Sequence, residues 1–519
     1  MNAIELEILW SNLISTVSEQ AKALQRIAFS AIVREAGDLA TALFDAKGRL
    51  VVQATTGTPG HINCIAHSGR KLVEMFEGRL EPGDVVITND PWLAAGHFFD
   101  ITMITPVFHK DRIIGYFGST IHHTDIGGYG VGAGARDVHE EGLWIPPLKL
   151  LVRGEPEPVL HDMLKHNVRM PEQLFGDLSA QVSSGRTGAD RLIRLLATHG
   201  LDDIDELSKE IISRSEEATR ASIRNLRAGT YHGATTFDAP GGEQVTIKVS
   251  ITVDPVAGDM LLDFTGSSPA SRHGINCVFN YSHAYAAFAA RSCLNPDLPN
   301  NVGSLAPIRM TAPEGCIVNC KYPVPVNARH VVGMYMAMPV MKALHGVMPE
   351  RVLAEGSGAV WTVQVQGQRD GKTFVSYFNY SGGMGARAHK PGPSATCYPA
   401  GVAAVPVEIL EASIPILFLN KQLRDGSGGT GRSPGGDGQT VTFKMLTDKP
   451  WLLSAVPCGV ESRPEGLEGG GPGKPGSFQI NGKTAPSGSK IELGPDDVVL
   501  LETPGGGGFG ALPHNSLCR

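Results

Sequence analysis

Apolar residues recur at steps of three and four over the first part of the chain, and this spacing predicts one long amphipathic helix over 2–35. Gly37 then ends the helix. Shorter apolar runs follow, bounded by Gly, Asp, Asn and Pro, and they predict strands and short helices. The predicted elements of this part are a hairpin of 39–44 and 49–53, a helix near 66–77, a strand at 85–88 and a second hairpin of 101–108 and 112–122.

The middle of the chain, from 185 to 227, has a helical pattern with many charged residues. Alternating and helical spacings follow in turn. They predict strands at 244–253 and 259–264 and helices near 282–294 and 331–346. Beyond residue 375, glycine-rich loops dominate. The whole pattern predicts an α+β fold with several lobes, mixed sheets, a long N-terminal helix and glycine-rich loops.

The charged helical segment separates two parts of the chain that differ in pattern. We expect an N-terminal lobe over 1–184, a helical linker over 185–228 and a β-rich, mixed C-terminal lobe over 229–519. The N-terminal lobe contains the candidate chemistry described below.

Composition narrows the classes of protein that fit. The 519 residues include 63 Gly and 35 Pro, which favours many turns and loops. A net charge of −7 and a pI near 6.2 argue against nucleic-acid binding. The chain shows no long apolar run and no basic leader, so we expect no membrane association and a cytoplasmic location. Eight scattered cysteines without a CxxC pair predict reduced thiols.

Two polar segments at the second predicted hairpin carry the strongest chemical signal. His97 and Asp100 stand three residues apart, and the residues from His122 to Asp125 are His-His-Thr-Asp. The first segment precedes one strand and the second ends its partner, so the hairpin would bring them together. Imidazole and carboxylate are ligands of zinc, manganese and iron. The pattern indicates a divalent metal site, and the alternative is a hydrogen-bonded polar turn without a metal.

Strand geometry limits which groups can reach one ion. His122 and His123 face opposite sides of an extended strand, so at most one of them is expected to bind directly. Asp125 would share the side of His123 if the strand continued. A further acidic ligand must come from elsewhere, and Glu35 and Asp38 are the candidates at the junction of helix and strand.

Two upstream histidines, His61 and His67, flank Cys64. Either of them could reach the metal site. A packing or capping role is the alternative, and spacing alone does not choose between these roles.

Glycine-rich segments in the C-terminal part match nucleotide-binding loops only in spacing. Residues 426–431 satisfy G-x-G-x-x-G, but the Pro- and Gly-rich segment 432–438 follows and excludes the helix that such a loop opens. Residues 471–474 are followed by Pro475, where a phosphate loop needs Ser or Thr. We therefore predict no ATP site of known type in this chain. We interpret 505–508 as a tight turn, with a loop that closes on substrate or a partner as the alternative.

Short motifs follow one another in a characteristic order along almost the whole chain. They are Arg34-Glu-Ala-Gly-Asp38, Ala42-Leu-Phe-Asp-Ala-Lys-Gly48, Asn89-Asp-Pro91 with Gly96-His97 and Asp100, His122-His-Thr-Asp-Ile-Gly-Gly128, Glu141-Gly-Leu-Trp-Ile-Pro-Pro147, Asp263-Phe-Thr-Gly266, Asn300-Asn-Val-Gly303, Pro313-Glu-Gly315, Arg424-Asp-Gly-Ser-Gly-Gly-Thr-Gly431 and Thr503-Pro-Gly-Gly-Gly-Gly-Phe-Gly510. Each motif is weakly specific alone, whereas their order is strongly specific. Together they resemble the hydantoinase B/5-oxoprolinase family.

The resemblance implies a subunit that works with an ATP-binding A-type subunit, either separate or fused, in a hetero-oligomer. Family members open cyclic amides such as hydantoins, oxoproline or lactams with ATP hydrolysis, and relatives carboxylate ketones. The resemblance also implies a divalent metal, zinc with manganese or iron as alternatives, and it prefers Asp38 over Glu35. The implied ligands are Asp38, His97, Asp100 and His122. The bulky pair Phe98-Phe99 departs from the small residues usual in the family, which bears on the substrate.

Three hypotheses follow. In the first, the chain is the metal-binding subunit of a cyclic-amide hydrolase, in which water activated by the metal attacks a substrate that the partner has phosphorylated with ATP. His123 or Asp125 would relay the proton or orient a ligand. In the second, the chain is a subunit of an ATP-dependent ketone carboxylase. In the third, it is a non-catalytic scaffold subunit.

Overall fold

Four sheets and a set of helices alternate along the chain in the computed structural model, which describes residues 2–512. The helices are α1 (Ala3–Ile27), α2 (Ala31–Arg34), α3 (Pro59–Met75), α4 (Pro158–Asn167), α5 (Pro171–His199), α6 (Asp205–Arg224), α7 (Phe279–Leu294), α8 (Val302–Leu305), α9 (His330–Tyr335), α10 (Ala337–His345) and α11 (Val407–Ser413). Together with the sheets below, they give the mixed α and β architecture that the sequence predicts, including a long N-terminal helix.

The first sheet has seven strands in the order β2-β1-β5-β4-β3-β6-β7. Its strands are β1 (Leu39–Asp45), β2 (Leu50–Gln53), β3 (Val85–Thr88), β4 (Asp100–His109), β5 (Arg112–His122), β6 (Leu148–Val152) and β7 (Glu155–Pro156). Both predicted hairpins are present as antiparallel pairs, β1 with β2 and β4 with β5. The sequences of both hairpins contain the strand-forming residues and the turn residues that antiparallel pairs need.

The two faces of the first sheet belong to separate cores. Leu43 and Phe117 pack with α1 and α5 on one face, whereas Phe44 and Tyr116 pack with α3 on the other. Successive side chains of a strand alternate between faces, so each strand contributes to both cores. The end of β5 follows the same rule and therefore places neighbouring residues on opposite faces.

The other three sheets lie after α6 in the chain. The second, in the order β11-β10-β9-β8, has β8 (Gly229–Ala239), β9 (Glu243–Asp254), β10 (Asp259–Asp263) and β11 (Ile308–Thr311). The third, in the order β13-β12-β16-β19, has β12 (Val360–Arg369), β13 (Lys372–Ser381), β16 (Trp451–Ala455) and β19 (Lys490–Leu493). The fourth, in the order β14-β15-β20-β17-β18, has β14 (Ile416–Leu423), β15 (Gln439–Met445), β17 (Ser477–Ile480), β18 (Lys483–Thr484) and β20 (Val498–Glu502).

Two predicted helices differ from the observed ones. The helix predicted over 2–35 ends at Ile27 and resumes as α2, because the carboxylate of Asp177 accepts hydrogen bonds from the main-chain N–H groups of Phe29 and Ser30. The helix predicted near 66–77 begins earlier, at Pro59, a residue that favours the first helical position. The division into lobes stays a prediction, although α5 runs through its first boundary at residue 185.

The segment 505–508 is not the tight turn that the sequence favours. Its four N–H groups donate to carbonyl oxygens of Lys474, Gly436, Glu355 and Gly471, at 2.8–3.1 Å. All four glycines are buried, and none has a positive φ. The segment is therefore extended and is surrounded by neighbouring backbones, which lie too close for any side chain. The glycine-rich residues 426–438 pack against this segment, and we call these close-packed backbone segments the glycine bundle. Residues 426–438 open no helix, as the sequence predicts.

Two further features concern the helices and the cysteines of the described residues. No helix in the described part is both long and apolar enough to cross a membrane. Seven cysteines are buried and form no disulfide there, and Cys518 lies outside the described residues.

Candidate metal centre

The predicted ligands stand at the same end of three neighbouring strands. Asp100 begins β4 and pairs across the sheet with His122, which ends β5. Asp38 directly precedes β1, and its carbonyl oxygen accepts a hydrogen bond from the N–H of His122 at 3.2 Å. Cross-strand neighbours share a face of the sheet, so these three side chains converge. Glu35, the other acidic candidate, forms an ion pair with Arg34 at 2.8 Å.

Asp100 lies at the centre of the cluster and is fully buried. Its Oδ1 atom lies 2.8 Å from Nε2 of His97 and 3.1 Å from Nδ1 of His122. Its Oδ2 atom lies 2.8 Å from Nε2 of His61 and accepts a hydrogen bond from Arg329. Burial opposes the charge of Asp100, but neighbours led by His61 and His97 outweigh burial and hold the pKa of this carboxyl well below its usual range. The cluster therefore contains an ionised carboxylate.

The ring of His97 is held in one tautomer. Its Nδ1 atom lies 2.9 Å from the carbonyl oxygen of Asn327, so Nδ1 carries the proton and donates it. Burial and the charge of Arg329 lower the pKa of His97 to about 4, which leaves Nε2 as a lone pair at neutral pH. Nε2 makes no hydrogen bond within the described residues, although Oδ1 of Asp100 lies 2.8 Å away. Two acceptors this close repel each other unless both bind a cation.

The donor set fits a divalent cation. One ligand atom each from His97, Asp100 and His122 lies within 4.8 Å of the other two. Nε2 of His122 also lacks a hydrogen-bond partner in the part of the chain that the structure describes. Two imidazoles with one carboxylate are typical of zinc, manganese and non-haem iron sites that keep positions open for water or substrate. The arrangement can therefore hold a reactive ion.

Asp38, the fourth predicted ligand, lies beside this triad. Its Oδ1 atom lies 3.7 Å from Nε2 of His61 and accepts a hydrogen bond from the hydroxyl of Thr58 at 3.3 Å. Burial disfavours a charged ring at His61, but Asp100 and Asp38 outweigh it and raise the pKa of His61. Asp38 thus contacts the triad through His61 and stays a predicted ligand.

Aromatic rings fix the position of His122. Its ring stacks on Tyr377, with 4.5 Å between ring centroids, and on Phe99 at 5.5 Å. Phe98 packs instead against Trp144 at 5.6 Å. Both phenylalanines are fully buried. Phe99 therefore packs against a candidate ligand, whereas Phe98 packs against Trp144.

The structure does not bring His123 and Asp125 into the cluster. His123 lies beside Asp177 of α5, on the opposite face of the sheet from His122, and burial lowers the pKa of His123 to about 4. The carboxylate of Asp125 accepts hydrogen bonds from the guanidinium of Arg169 at 2.7 Å and from the N–H of Met170 at 3.2 Å. Asp125 also accepts a hydrogen bond from the N–H of Gly127 at 3.1 Å, and the N–H of His123 donates to the carbonyl oxygen of Phe99 at 2.8 Å.

Distant parts of the chain complete the site, and sequence reasoning missed most of them. Arg329 reaches Asp100 across 229 positions, and Asn327 reaches His97 across 230. The local signal for both is weak, a polar run of Asn-Ala-Arg-His before the apolar helices α9 and α10. His61, whose role spacing left open, does belong to the cluster.

A buried carboxylate outside the cluster holds the loop that carries Asn327. Oε1 of Glu141 accepts hydrogen bonds from the N–H groups of Val326 at 2.8 Å and Asn327 at 2.7 Å. Burial raises the pKa of Glu141 well above its usual range. Because the carbonyl oxygen of Asn327 accepts a hydrogen bond from Nδ1 of His97, Glu141 helps to orient His97 through this loop.

Replacing Glu141 by leucine is expected to lower the affinity for a divalent metal by about 10–100-fold, the usual cost of losing a partner that orients a ligand. Two buried N–H groups lose their acceptor, and the loop that holds His97 shifts. Glu141→Gln keeps a carbonyl acceptor and is expected to stay near the wild-type affinity. Competition titration against a chelating dye measures both variants, and wild-type affinity in the leucine variant would refute the role.

The cluster lines a small cavity of about 40 Å³, and the candidate ligands that line it are buried. One water needs about 10–15 Å³ of such space, so the cavity holds an ion with a few waters at most. Arg329 forms part of the wall, with its guanidinium 4.1 Å from the ring centroid of Tyr281. The site is thus shielded from bulk solvent.

Comparison with known proteins adds the family context. The family profile described as hydantoinase B/oxoprolinase matches residues 2–512. A protein of Pseudomonas sp., described as the putative B-type subunit of a D-/L-hydantoinase, is 30% identical over 98% of this chain and 90% of its own length. A 5-oxoprolinase of Pestalotiopsis fici is 28% identical over 98% of this chain, which spans only 41% of that protein.

Two solved structures share the fold. The ATP-dependent caprolactamase from Pseudomonas jessenii has a TM-score of 0.88 at 24% identity, over 98% of this chain and 91% of its own. A nucleotide-free acetone carboxylase has a TM-score of 0.88 at 19% identity, over 98% of this chain and 75% of its own. At these identities the two structures establish the fold alone.

Proposed function

The chain belongs to the hydantoinase B/oxoprolinase family, and from this premise we propose that it is the metal-binding subunit of an ATP-dependent cyclic-amide hydrolase. Hydantoins, oxoproline and lactams are the proposed substrate class. The observation that carries the proposal is the buried triad of His97, Asp100 and His122, with a neutral imidazole lone pair facing a carboxylate oxygen.

ATP is used on a partner subunit of the A type in this proposal. The relative from Pseudomonas sp. is described as one subunit of a hydantoinase, which supports a heteromer of two chain types. The 5-oxoprolinase of P. fici is long enough to carry an ATP-binding part in the same chain. The glycine-rich segments of this chain open no helix of the phosphate-binding kind, which also supports the division of labour.

His97, Asp100 and His122 hold the ion in this proposal, and Asp38 completes the set. When bound, a divalent cation, zinc with manganese or iron as alternatives, supplies Lewis acidity that polarises a carbonyl oxygen or lowers the pKa of water to about 7. Arg329 neutralises the outer oxygen of Asp100 and keeps the carboxylate in place.

The chain's own residues prepare an environment for attack on an activated carbonyl. An amide carbon is a poor electrophile, because its nitrogen donates electrons into the carbonyl group. Phosphorylation of the amide oxygen by ATP on the partner makes the amide carbon a better electrophile. Burial of His97, Asp100 and His122 keeps bulk water away from the candidate metal ligands. A proton relay through His123 or Asp125 stays a prediction. The side chain of His123 lies beside α5, and that of Asp125 contacts the segment before α5, so neither is part of the cluster.

A ketone carboxylase subunit is the second candidate function. The acetone carboxylase chain matches this fold with the same TM-score as the caprolactamase, 0.88, which favours keeping this alternative. The metal centre would then orient a ketone-derived enolate toward CO₂. A non-catalytic scaffold subunit is the third candidate, and it predicts no stoichiometric metal.

Reconstitution with an ATP-binding subunit of the family tests the proposal. The metal-loaded pair is expected to open a cyclic amide only when ATP is present. His97→Ala is expected to lose both the bound ion and the activity, because it removes one ligand of the triad. His199→Ala, at the exposed end of α5, is the matched control and keeps both.

The same assay separates the candidates. Full activity of a metal-free His97→Ala protein would contradict the proposal. ATP turnover that requires bicarbonate and a ketone would assign the carboxylase function instead.

A further inference from the structure

The metal-site cavity is too small for the substrate class proposed above. Its volume of about 40 Å³ accommodates a few waters. A cyclic amide brings a whole ring with its carbonyl oxygen, and an activated one brings a phosphate as well. The substrate therefore needs more space than the metal-site cavity offers, and a residue that lines this cavity must move.

A larger cleft begins on the other side of Tyr377. Its volume is about 500 Å³, within the range of about 300–1,000 Å³ typical of small-molecule sites. It lies between α2, the start of α5, the hairpin of β12 and β13, and the end of α11. Tyr377 lines both the cleft and the metal-site cavity. Thr124, two residues after His122, also lines the cleft.

The cleft is lined by polar side chains of several kinds. Its walls carry charges of both signs, with Arg34 paired with Glu35 and Arg369 paired with Asp370, and hydroxyl groups lie between them. The cations are Arg34, Arg369 and Lys372, the carboxylates are Asp370 and Glu411, and the hydroxyls include Thr373, Ser376 and Ser413. Hydroxyl donors suit carbonyl and phosphate oxygens, and Lys372, which forms no ion pair within the described residues, supplies a cation suited to the phosphate of an activated amide.

A second cleft provides a contrast. It is larger, about 820 Å³, and lies between α1, α6 and the residues after α7. It shares no lining residue with the metal-site cavity. Size alone would favour this second cleft, whereas continuity with the chemistry favours the one beside Tyr377.

We propose that the cleft beside Tyr377 receives the activated cyclic amide, and that the substrate reaches the metal triad when the Tyr377 ring turns away from His122. In this structure the Tyr377 ring stacks on the His122 ring, with 4.5 Å between ring centroids. The identity of the ligand rests on the proposed function. The route from this cleft to the triad rests on the geometry alone.

Chemical modification tests the route without partner, substrate or metal. Diethyl pyrocarbonate acylates neutral imidazole, and peptide mass spectrometry of the full, metal-free chain measures the rates at His97 and His122 against exposed His199. Tyr377→Ala is expected to raise both rates severalfold, because the wall is removed. Tyr377→Phe keeps the ring and is expected to match the wild type. Equal acceleration in both variants, or in neither, would overturn the proposal.

Filling each cleft in turn identifies the entrance. In the Tyr377→Ala protein, Ser376→Trp is expected to return the rates toward wild type, because the indole occupies the cleft. Ser11→Trp fills the second cleft and is expected to leave the accelerated rates unchanged. Unchanged labelling after Ser376→Trp would place the entrance elsewhere.

Activity of the reconstituted pair separates this proposal from the proposed function. In the otherwise wild-type chain, Ser376→Trp is expected to lower kcat/KM severalfold with the bound metal unchanged, and Ser11→Trp is expected to lower neither. If no variant hydrolyses a cyclic amide but the labelling follows the cleft, the route stands and the proposed function fails. If hydrolysis is found but labelling ignores the cleft, the route fails alone.

Discussion

Replacement of Asp100 by alanine is expected to abolish metal binding and to lower the free energy of unfolding by about 3–5 kcal/mol, the cost of removing one partner from a buried ion pair. The carboxylate contacts three histidines and one guanidinium in a fully buried setting. Without it, the charge of Arg329 stays buried with the carbonyl oxygen of Ala95 and the ring of Tyr281 as remaining partners. Neither neutralises a positive charge.

Urea unfolding and equilibrium dialysis with the chosen metal measure the two effects separately. The matched control is Asp238→Ala, which removes another buried carboxylate, one that accepts hydrogen bonds from the N–H groups of Val460, Glu461 and Ser462. Asp238→Ala is expected to lower stability while the metal affinity stays at the wild-type level. Metal binding by the Asp100→Ala protein at wild-type affinity would show that this carboxylate is not a ligand.

Gly506→Ala is expected to destabilise the fold by about 3 kcal/mol or more, at or beyond the upper end for an overpacked core. A Cβ atom at this position would lie 2.1 Å from the carbonyl oxygen of Met384 and 2.8 Å from the backbone nitrogen of Gly385. Both are backbone atoms, which no rotamer change can move. Two neighbouring segments would have to separate, and the hydrogen bond from Gly506 to Gly436 would weaken with them.

Gly356→Ala is the matched control for this substitution. Gly356 belongs to the same bundle and also lacks a positive φ, but a Cβ atom added there would lie 3.6 Å from its nearest neighbour, an ordinary contact. The stability of this variant is expected to stay within about 0.5 kcal/mol of the wild type. Thermal unfolding of both variants decides the matter, and similar midpoints would show that the bundle tolerates side chains.

Local patterns explain what the sequence predicts well. The hairpin of β4 and β5 follows from alternation and from the turn at Lys110 and Asp111, and its register places Asp100 opposite His122. Those two residues therefore stand out as candidate ligands from the sequence alone. His97 is three residues from Asp100, so the loop before the strand carries it to the same place.

Long-range contacts explain what the sequence predicts poorly. Arg329 and Asn327 join the centre from the segment before α9, across 229 and 230 positions, and no spacing near Asp100 indicates that contact. The glycine bundle is similar in this respect. Glycine permits both a tight turn and a close approach of backbones, so the four residues 505–508 do not choose between them without their neighbours.

The triad of His97, Asp100 and His122 is expected to bind one divalent ion. Elemental analysis of the purified full chain after reconstitution with zinc, manganese or iron, paired with a His97→Ala, His122→Ala double variant, measures this directly. The wild type is expected to retain one ion per chain after gel filtration, and the double variant is expected to retain none. A wild type without stoichiometric metal, or a double variant with the same metal content, would contradict the account.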